Sequence, residues 1–257
     1  MATALITGAS NGIGLDLAKI HASKGDNLIL VARSKSKLDE LKLSLEKEFK
    51  IKVIVINKDL SEINAAQEVY DEIKKNQITV DFLINNAGFG DFGMFYETDW
   101  NKELQMINLN ITTLSHFTKI FLKEMVQRGN GRIMNVASIA AFQPGPTMAV
   151  YYATKAYVLH FSEAIANEVE KTGVTITALC PGPTESGFQE AADMQESKLV
   201  KGRKLPTSKE VAEYGYKSMM SGKTVAIHGT INYLMANSIR FSPRSLVVKL
   251  VRLVQDK

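Results

Sequence analysis

Short apolar runs rich in Ile and Val alternate along the chain with longer stretches in which apolar residues recur every three or four positions. The runs fall at 3–6, 28–32, 52–57, 82–84, 132–136, 175–179 and 224–227. Their near-continuous apolar character predicts strands buried on both faces, as in a parallel sheet covered by helices. Helices are predicted at about 13–24, 35–49, 62–75, 99–127, 150–171 and 208–221. In the second of these, Leu38, Leu41, Leu45 and Phe49 mark one face, while Lys and Glu fill most other positions. The alternation predicts an α/β fold: a doubly wound, mostly parallel seven-stranded sheet with helices on both faces. Right-handed crossovers leave few ways of ordering its strands.

No repeat, low-complexity segment or linker divides the 257 residues, so one domain spanning 1–257 is expected. The irregular stretch 181–207 opens with Pro181-Gly182-Pro183 and carries two apolar anchors, Phe188 and Met194. A connection of this length reads as a substrate lid. The net charge of +4 is local: residues 239–257 hold five basic side chains against Asp256, leaving 26 basic and 26 acidic elsewhere. A neutral body with a basic tail argues against nucleic acid as a partner. The single cysteine, Cys180, excludes an internal disulfide and suits a reducing compartment. The N-terminus shows no signal-peptide pattern, and no apolar run is long enough to span a bilayer. A cytoplasmic protein is expected.

The first strand leads into Thr7-Gly8-Ala9-Ser10-Asn11-Gly12-Ile13-Gly14, where a helix begins. Gly8 permits a tight turn, Gly12 lets backbone approach a pyrophosphate, and Gly14 lets helix and sheet pack closely. The helix N-terminus then offers amides and its positive dipole end to phosphate. This is a Rossmann-type dinucleotide cradle. The second strand ends in Val31-Ala32-Arg33-Ser34, with no carboxylate for a ribose hydroxyl. The Arg33 guanidinium stands where a 2′-phosphate would lie, and Ser34 and Lys37 add donors, so NADP(H) is the expected cofactor. The alternative is a solvated surface Arg33.

Tyr151-Tyr152-Ala153-Thr154-Lys155 opens a predicted helix, and a Tyr and Lys four apart share one helix face. A nearby ammonium favours phenolate, which predicts a Tyr151 pKa lowered toward working pH. Ser138 ends the fifth strand, where open α/β sheets bind ligands, and Asn85-Asn86-Ala87-Gly88 ends the fourth in the same way. No His/Cys/carboxylate cluster has ligand spacing, so no metal is expected. His160 is read as a packed residue, and Tyr152 as the structural member of its pair.

The chain resembles the short-chain dehydrogenase/reductase family. The residues that carry the likeness are 7–14, Asn-Asn-Ala-Gly at 85–88, Ser138, Tyr151-x-x-x-Lys155 and Pro181-Gly182-Pro183, in family order over about residues 3–230. It looks most like bacterial reductases with an Ala-Arg-Ser signature for NADP, and is distantly similar to acyl and steroid ketoreductases. The resemblance implies that Tyr151 exchanges a proton with the substrate oxygen, Lys155 tunes Tyr151 and holds the nicotinamide ribose, and Ser138 binds the reacting oxygen. Asn110 matches the asparagine that anchors a proton-relay water. Asn108 is the alternative, and Thr113 stands where the family more often has Gly. The cofactor would be lined by Gly8, Ser10, Asn11, Gly12, Ile13, Gly14, Arg33, Ser34, Asp59, Leu60, Asn86, Ala87, Gly88, Tyr151 and Lys155. Pro181, Gly182 and Thr184 would flank its carboxamide. A homodimer or homotetramer would be the assembly.

An apolar pocket wall is expected from Phe89, Phe92, Met94, Ile139, Phe142, Pro144, Met148, Phe188 and Met194, which suits a ketone or secondary alcohol with a hydrophobic portion. Lys198, Lys201, Arg203 and Lys204 would guide an acidic substrate or form a solvated lid. In the tail, Leu246, Val247, Val248, Leu250, Val251, Leu253 and Val254 surround Lys249 and Arg252. Packing on the body or on a second subunit is the first expectation for such a helix, and shallow membrane contact the second. The rival functions are a catalytically silent NADP(H)-binding redox sensor, and an epimerase or dehydratase on the same scaffold.

Overall fold

The computed structural model describes residues 1–188, 192, 202 and 204–255. Seven strands form one sheet: β1 (Thr3–Thr7), β2 (Asn27–Ala32), β3 (Val53–Asn57), β4 (Phe82–Asn85), β5 (Gly131–Val136), β6 (Val174–Cys180) and β7 (Val225–Ile227). Their order is β3-β2-β1-β4-β5-β6-β7, and every ladder is parallel. Ile6 pairs with Leu30 on one side and Ile84 on the other. The chain therefore reverses its direction of winding between β1 and β4, which opens a crevice at their carboxyl ends.

Alternate strand residues feed two cores. Ala4, Ile6, Leu28 and Leu30 pack with Leu17, Leu38, Leu45, Val211 and Met219. The latter come from α1 (Gly12–Ser23), α2 (Lys35–Phe49) and α7 (Ser208–Met220). Leu5, Ile29, Val31 and Leu83 pack on the opposite face with Val69 and Ile73 of α3 (Ala65–Lys75) and with Phe117, Phe121 and Met125 of α5 (Leu114–Arg128). Burial on both faces explains why the strands read as unbroken apolar runs, and each large side chain so buried contributes roughly 1.5–3 kcal/mol.

The helix expected over 99–127 is divided. Asp99 caps α4 (Trp100–Ile107) by accepting from the Lys102 amide at 2.9 Å. Asn108–Thr113 then wind as a π-helical turn before α5. An extra residue per turn keeps the apolar periodicity nearly unbroken, so the pattern alone reads as one helix. The third helix begins at Ala65 rather than near 62, because Asn64 takes a left-handed conformation with φ 66°. α6 (Ala149–Glu168) carries the Tyr and Lys pair. After β7 come α8 (Thr230–Ser238), which has no counterpart in the predicted helices, and α9 (Arg244–Gln255), the expected tail helix. The stems of the 181–207 segment meet: Glu185 bridges Thr207, and its amide donates to the Pro206 carbonyl at 2.9 Å. Met194, Lys198, Lys201 and Arg203, and Asp256 and Lys257 of the tail, lie outside the described residues.

Candidate active site

The glycine loop bridges β1 and α1 at the crevice. Gly8 has φ +66°, and a Cβ there would stand 2.9 Å from Ala87 Cα. A Cβ on Gly14 would meet the Gly8 carbonyl at 2.4 Å, so only glycine lets the first turn of α1 lie against the loop. Asn11 occupies the N-cap of α1 without a capping side-chain bond, so no side chain there takes up the first-turn amides. The loop is braced from β4: the Thr7 hydroxyl accepts from the Asn86 and Ala87 amides, both at 3.0 Å. Asn86 Nδ2 donates to the Thr7 and Gly8 carbonyls at 2.9 and 3.2 Å. The Asn86 side chain thus acts as a strut beneath the cradle. Ser186 and Gly187 lie directly over Gly12 and Asn11.

At the end of β2, Arg33 extends into solvent with its guanidinium 3.9 Å from the Asp59 carboxylate. Burial would raise the Asp59 carboxyl, but bonds from the Ser61 hydroxyl and amide outweigh it, with Arg33 and Lys58 assisting, and hold it below its ordinary value. The neighbouring Leu60 carbonyl accepts from the Thr113 hydroxyl at 2.7 Å, tying this rim to the π turn. Thr113 therefore has a structural bond that glycine at that position lacks.

Four elements meet at Tyr151. Its phenol is buried at the start of α6, close to the hydroxyl of Ser138, which follows β5. Ser138 itself accepts from the Ala140 amide at 3.1 Å and so caps the short 3-10 turn Ile139–Phe142. Lys155, one helical turn along, places Nζ 5.8 Å from the Tyr151 ring centroid and donates to the Val136 carbonyl at 2.8 Å. Asn110 is buried in the π turn, where Nδ2 donates to the Phe89 carbonyl at 3.1 Å and to Thr154 Oγ1 at 3.0 Å. Thr154 Oγ1 in turn donates to the Tyr151 carbonyl at 2.7 Å. A Cβ on Gly88 would fall 3.0 Å from Asn110 Oδ1 and 3.4 Å from Lys155 Nζ, so this glycine keeps open the space both polar groups face.

The expected lowering of the Tyr151 pKa is overturned. Burial penalises the phenolate more than the neighbouring Ser138 hydroxyl favours it, and the phenol is pushed well above its ordinary value. Burial likewise brings Lys155 down to about 8, so it offers less positive charge than a surface lysine. The electrostatic help assumed from spacing alone neglected the desolvation of both groups.

Around this centre, Met148, Tyr151, Tyr152, Phe89, Phe92 and Phe188 form one apolar cluster with Val247 and Val251 of α9. The Phe188 ring lies 5.2 Å from that of Tyr151. Ile139 and Phe142 pack instead into a separate cluster with Val158, Leu159 and Ala236, so that part of the expected wall is core. Tyr152 is buried and bonded by Gln255 at the end of α9. His160 is not packed; its ring is exposed beside Glu163.

The short chain dehydrogenase family profile matches residues 2–197, across the cradle, Ser138, Tyr151 and Lys155. The chain belongs to the short-chain dehydrogenase family. It is an oxidoreductase of CH–OH and C=O groups. A human very-long-chain 3-oxoacyl-CoA reductase is 30% identical over 96% of this chain and 78% of that protein. A short-chain dehydrogenase from Sphingobium yanoikuyae, solved in complex with NADPH, superposes with TM-score 0.84 at 29% identity over 94% of both chains. The bulky-bulky ketone specific alcohol dehydrogenase from Comamonas testosteroni gives TM-score 0.80 at 29% identity, over 94% of this chain and 92% of that one.

In this short-chain dehydrogenase the site also rests on residues to which the sequence assigned no role of their own. Thr7 and Thr154 are unremarkable small polar residues until the fold brings them under Asn86 and Asn110. Asn85 Nδ2 donates to Thr118 Oγ1 and Asn135 Oδ1, and Asn135 donates on to Ser162, pinning α6 to β4, β5 and α5. Two buried asparagines on adjacent strands in otherwise apolar runs were the available signal.

Proposed function

We propose that the protein is an NADPH-dependent carbonyl reductase and alcohol dehydrogenase acting on a ketone or secondary alcohol with a hydrophobic portion. The observation that carries this reading is the buried Tyr151 phenol, set beside Lys155 Nζ and close to the Ser138 hydroxyl. NADPH, when bound, supplies the hydride at nicotinamide C4. The Ser138 hydroxyl holds the carbonyl oxygen, and Tyr151 passes it the phenolic proton while the carbonyl carbon receives the hydride. Oxidation runs the same exchange backwards. With its pKa raised, Tyr151 holds its proton at neutral pH, as the acid role requires. Lys155 and Asn110 face the space that Gly88 leaves open, where Lys155 would hold the cofactor ribose and Asn110 a relay water.

Arg33 and Ser34 at the end of β2, with no carboxylate on that strand end, support NADPH over NADH. The apolar cluster at Tyr151 supports a hydrophobic substrate. The relatives named for very-long-chain 3-oxoacyl-CoA and bulky ketones point the same way.

The test is NADPH oxidation over a panel of ketones, aldehydes and quinones, run beside Tyr151→Phe. Wild-type turnover is expected, with a loss of about 10²–10⁴-fold in the variant and NADPH binding retained. Tight NADPH binding with no turnover on any substrate would replace this reading with the redox-sensor one.

A further inference from the structure

Nine of the nineteen exposed large hydrophobic side chains among the described residues fall between 231 and 254, about a tenth of the chain. They form ridges rather than scattered points. On α8, Ile231, Leu234 and Met235 recur at i, i+3 and i+4, and Ile231 is 74% exposed. On α9, Leu246, Leu250, Leu253 and Val254 recur at i, i+4, i+7 and i+8 and face away from the body, while Val247, Val251 and Gln255 are buried against it. Phe241, in the turn between the two helices, is 91% exposed. A core helix buries its single apolar stripe. Here α9 has two, and only one of them is covered.

The charge around these ridges has one sign. Residues 214–255 contain no acidic side chain, and Arg240, Arg244, Lys249 and Arg252 lie in or beside the two helices. Two copies of such a face would bring like charges together, which counts against self-association through it. An anionic surface is its electrostatic complement. Among the described residues no helix is long and apolar enough to cross a membrane. Leucines and a phenylalanine rimmed by Arg and Lys have the composition of an element that lies in the headgroup region.

The face also adjoins the site. Asn232 of α8 lies under Gly182, where a Cβ would approach its Nδ2 to 2.5 Å. The other stripe of α9 packs on Met148, Tyr151 and Tyr152. Arg252 reaches Met94 Sδ at 3.5 Å, at the foot of a loop that exposes Phe95 and Tyr96.

We propose that α8, α9 and the turn between them form a docking surface for an anionic lipid bilayer, seating the mouth of the catalytic cleft at the headgroup layer. A hydrophobic substrate then enters from the lipid rather than from water. This surface is independent of the reaction that the site performs, and the assay below needs no turnover.

The full chain is mixed with vesicles of phosphatidylcholine alone, or with a third phosphatidylglycerol, and bound protein is measured by flotation. Binding to the anionic vesicles is expected to exceed that to neutral ones by at least tenfold and to fall as salt rises. A variant with Leu246→Ser, Leu250→Ser and Leu253→Ser removes exposed groups only. It is expected to lose at least about tenfold in binding. Lys249→Glu should weaken binding by roughly fivefold or more. Light scattering without lipid checks the competing occupant. Failure of the wild type to float with anionic vesicles overturns the proposal. So does undiminished binding by the triple variant, or conversion of an oligomer to a smaller species by that variant, which would make the face a subunit contact.

Discussion

Tyr151 and Lys155 show how burial reshapes a pair that spacing alone makes simple. Both are enclosed, and each is pushed toward its neutral form. For Lys155 this has a stability consequence. Its pKa falls from 10.5 to about 8 on folding, so below pH 8 the fold carries a buried ammonium. Between about 8 and 10.5 the folded lysine is neutral while the unfolded one is still charged, and stability rises with pH through that window. Lys155→Met removes the buried charge. It is expected to raise thermal stability at pH 7, by a margin that shrinks by on the order of 2–3 kcal/mol toward pH 10.5, while turnover is lost. Melting curves from pH 6 to 10.5 check this; a margin independent of pH would contradict it. Asn110 illustrates what a residue needs from its surroundings. Its identity as a candidate was legible, but its partners, Phe89 and Thr154, are 21 and 44 positions away.

At the scale of the element, most of the helices and all seven strands were legible because the apolar runs and stripes that built them have unambiguous periods. The departures have local causes. The π turn at Asn108–Thr113 hides inside a continuous helical pattern, since one added residue displaces side chains by only part of a turn. It sets Asn110 facing Thr154 while α4 and α5 keep their own buried faces. α8 escaped notice because its ridge of Ile231, Leu234 and Met235 is exposed and only Ala236 is buried, so no inward stripe marks it. Gly14 shows the close packing that one element demands of another. Gly14→Ala sets a Cβ 2.4 Å from the Gly8 carbonyl, and α1 must retreat from the loop. A destabilisation of about 1–3 kcal/mol is expected, together with a weakened NADPH affinity. Urea titration and fluorescence titration check the two effects, and unchanged affinity would disconnect this contact from the cradle.

For the whole molecule, the topological switch between β1 and β4 gathers the glycine loop, the Asn85–Gly88 turn, Ser138 and α6 at one edge of the sheet. A ligand there contacts several elements at once and stabilises the entire domain. NADPH at about 100 times its dissociation constant should add about 2.7 kcal/mol, a rise of roughly 5–10 °C in Tm. Arg33→Asp should abolish most of that shift for NADPH and leave or create one for NADH. Equal shifts from both cofactors in the wild type would remove Arg33 from cofactor choice.

By itself the sequence determined the fold class, the order of strands and helices along the chain, the glycine loop after β1 and the candidate set Ser138, Tyr151 and Lys155. These depend on periodicity and on glycine and side-chain chemistry at short spacings, which local sequence expresses directly. The tertiary structure alone decided the sign of the Tyr151 shift, the strut from Asn86, the Asn85–Asn135–Ser162 chain that holds α6, the placement of Ser186 over Gly12 and the outward stripe of α9. Each depends on which atoms remain in water once distant segments meet, and desolvation is a property of the assembled volume rather than of any stretch of chain.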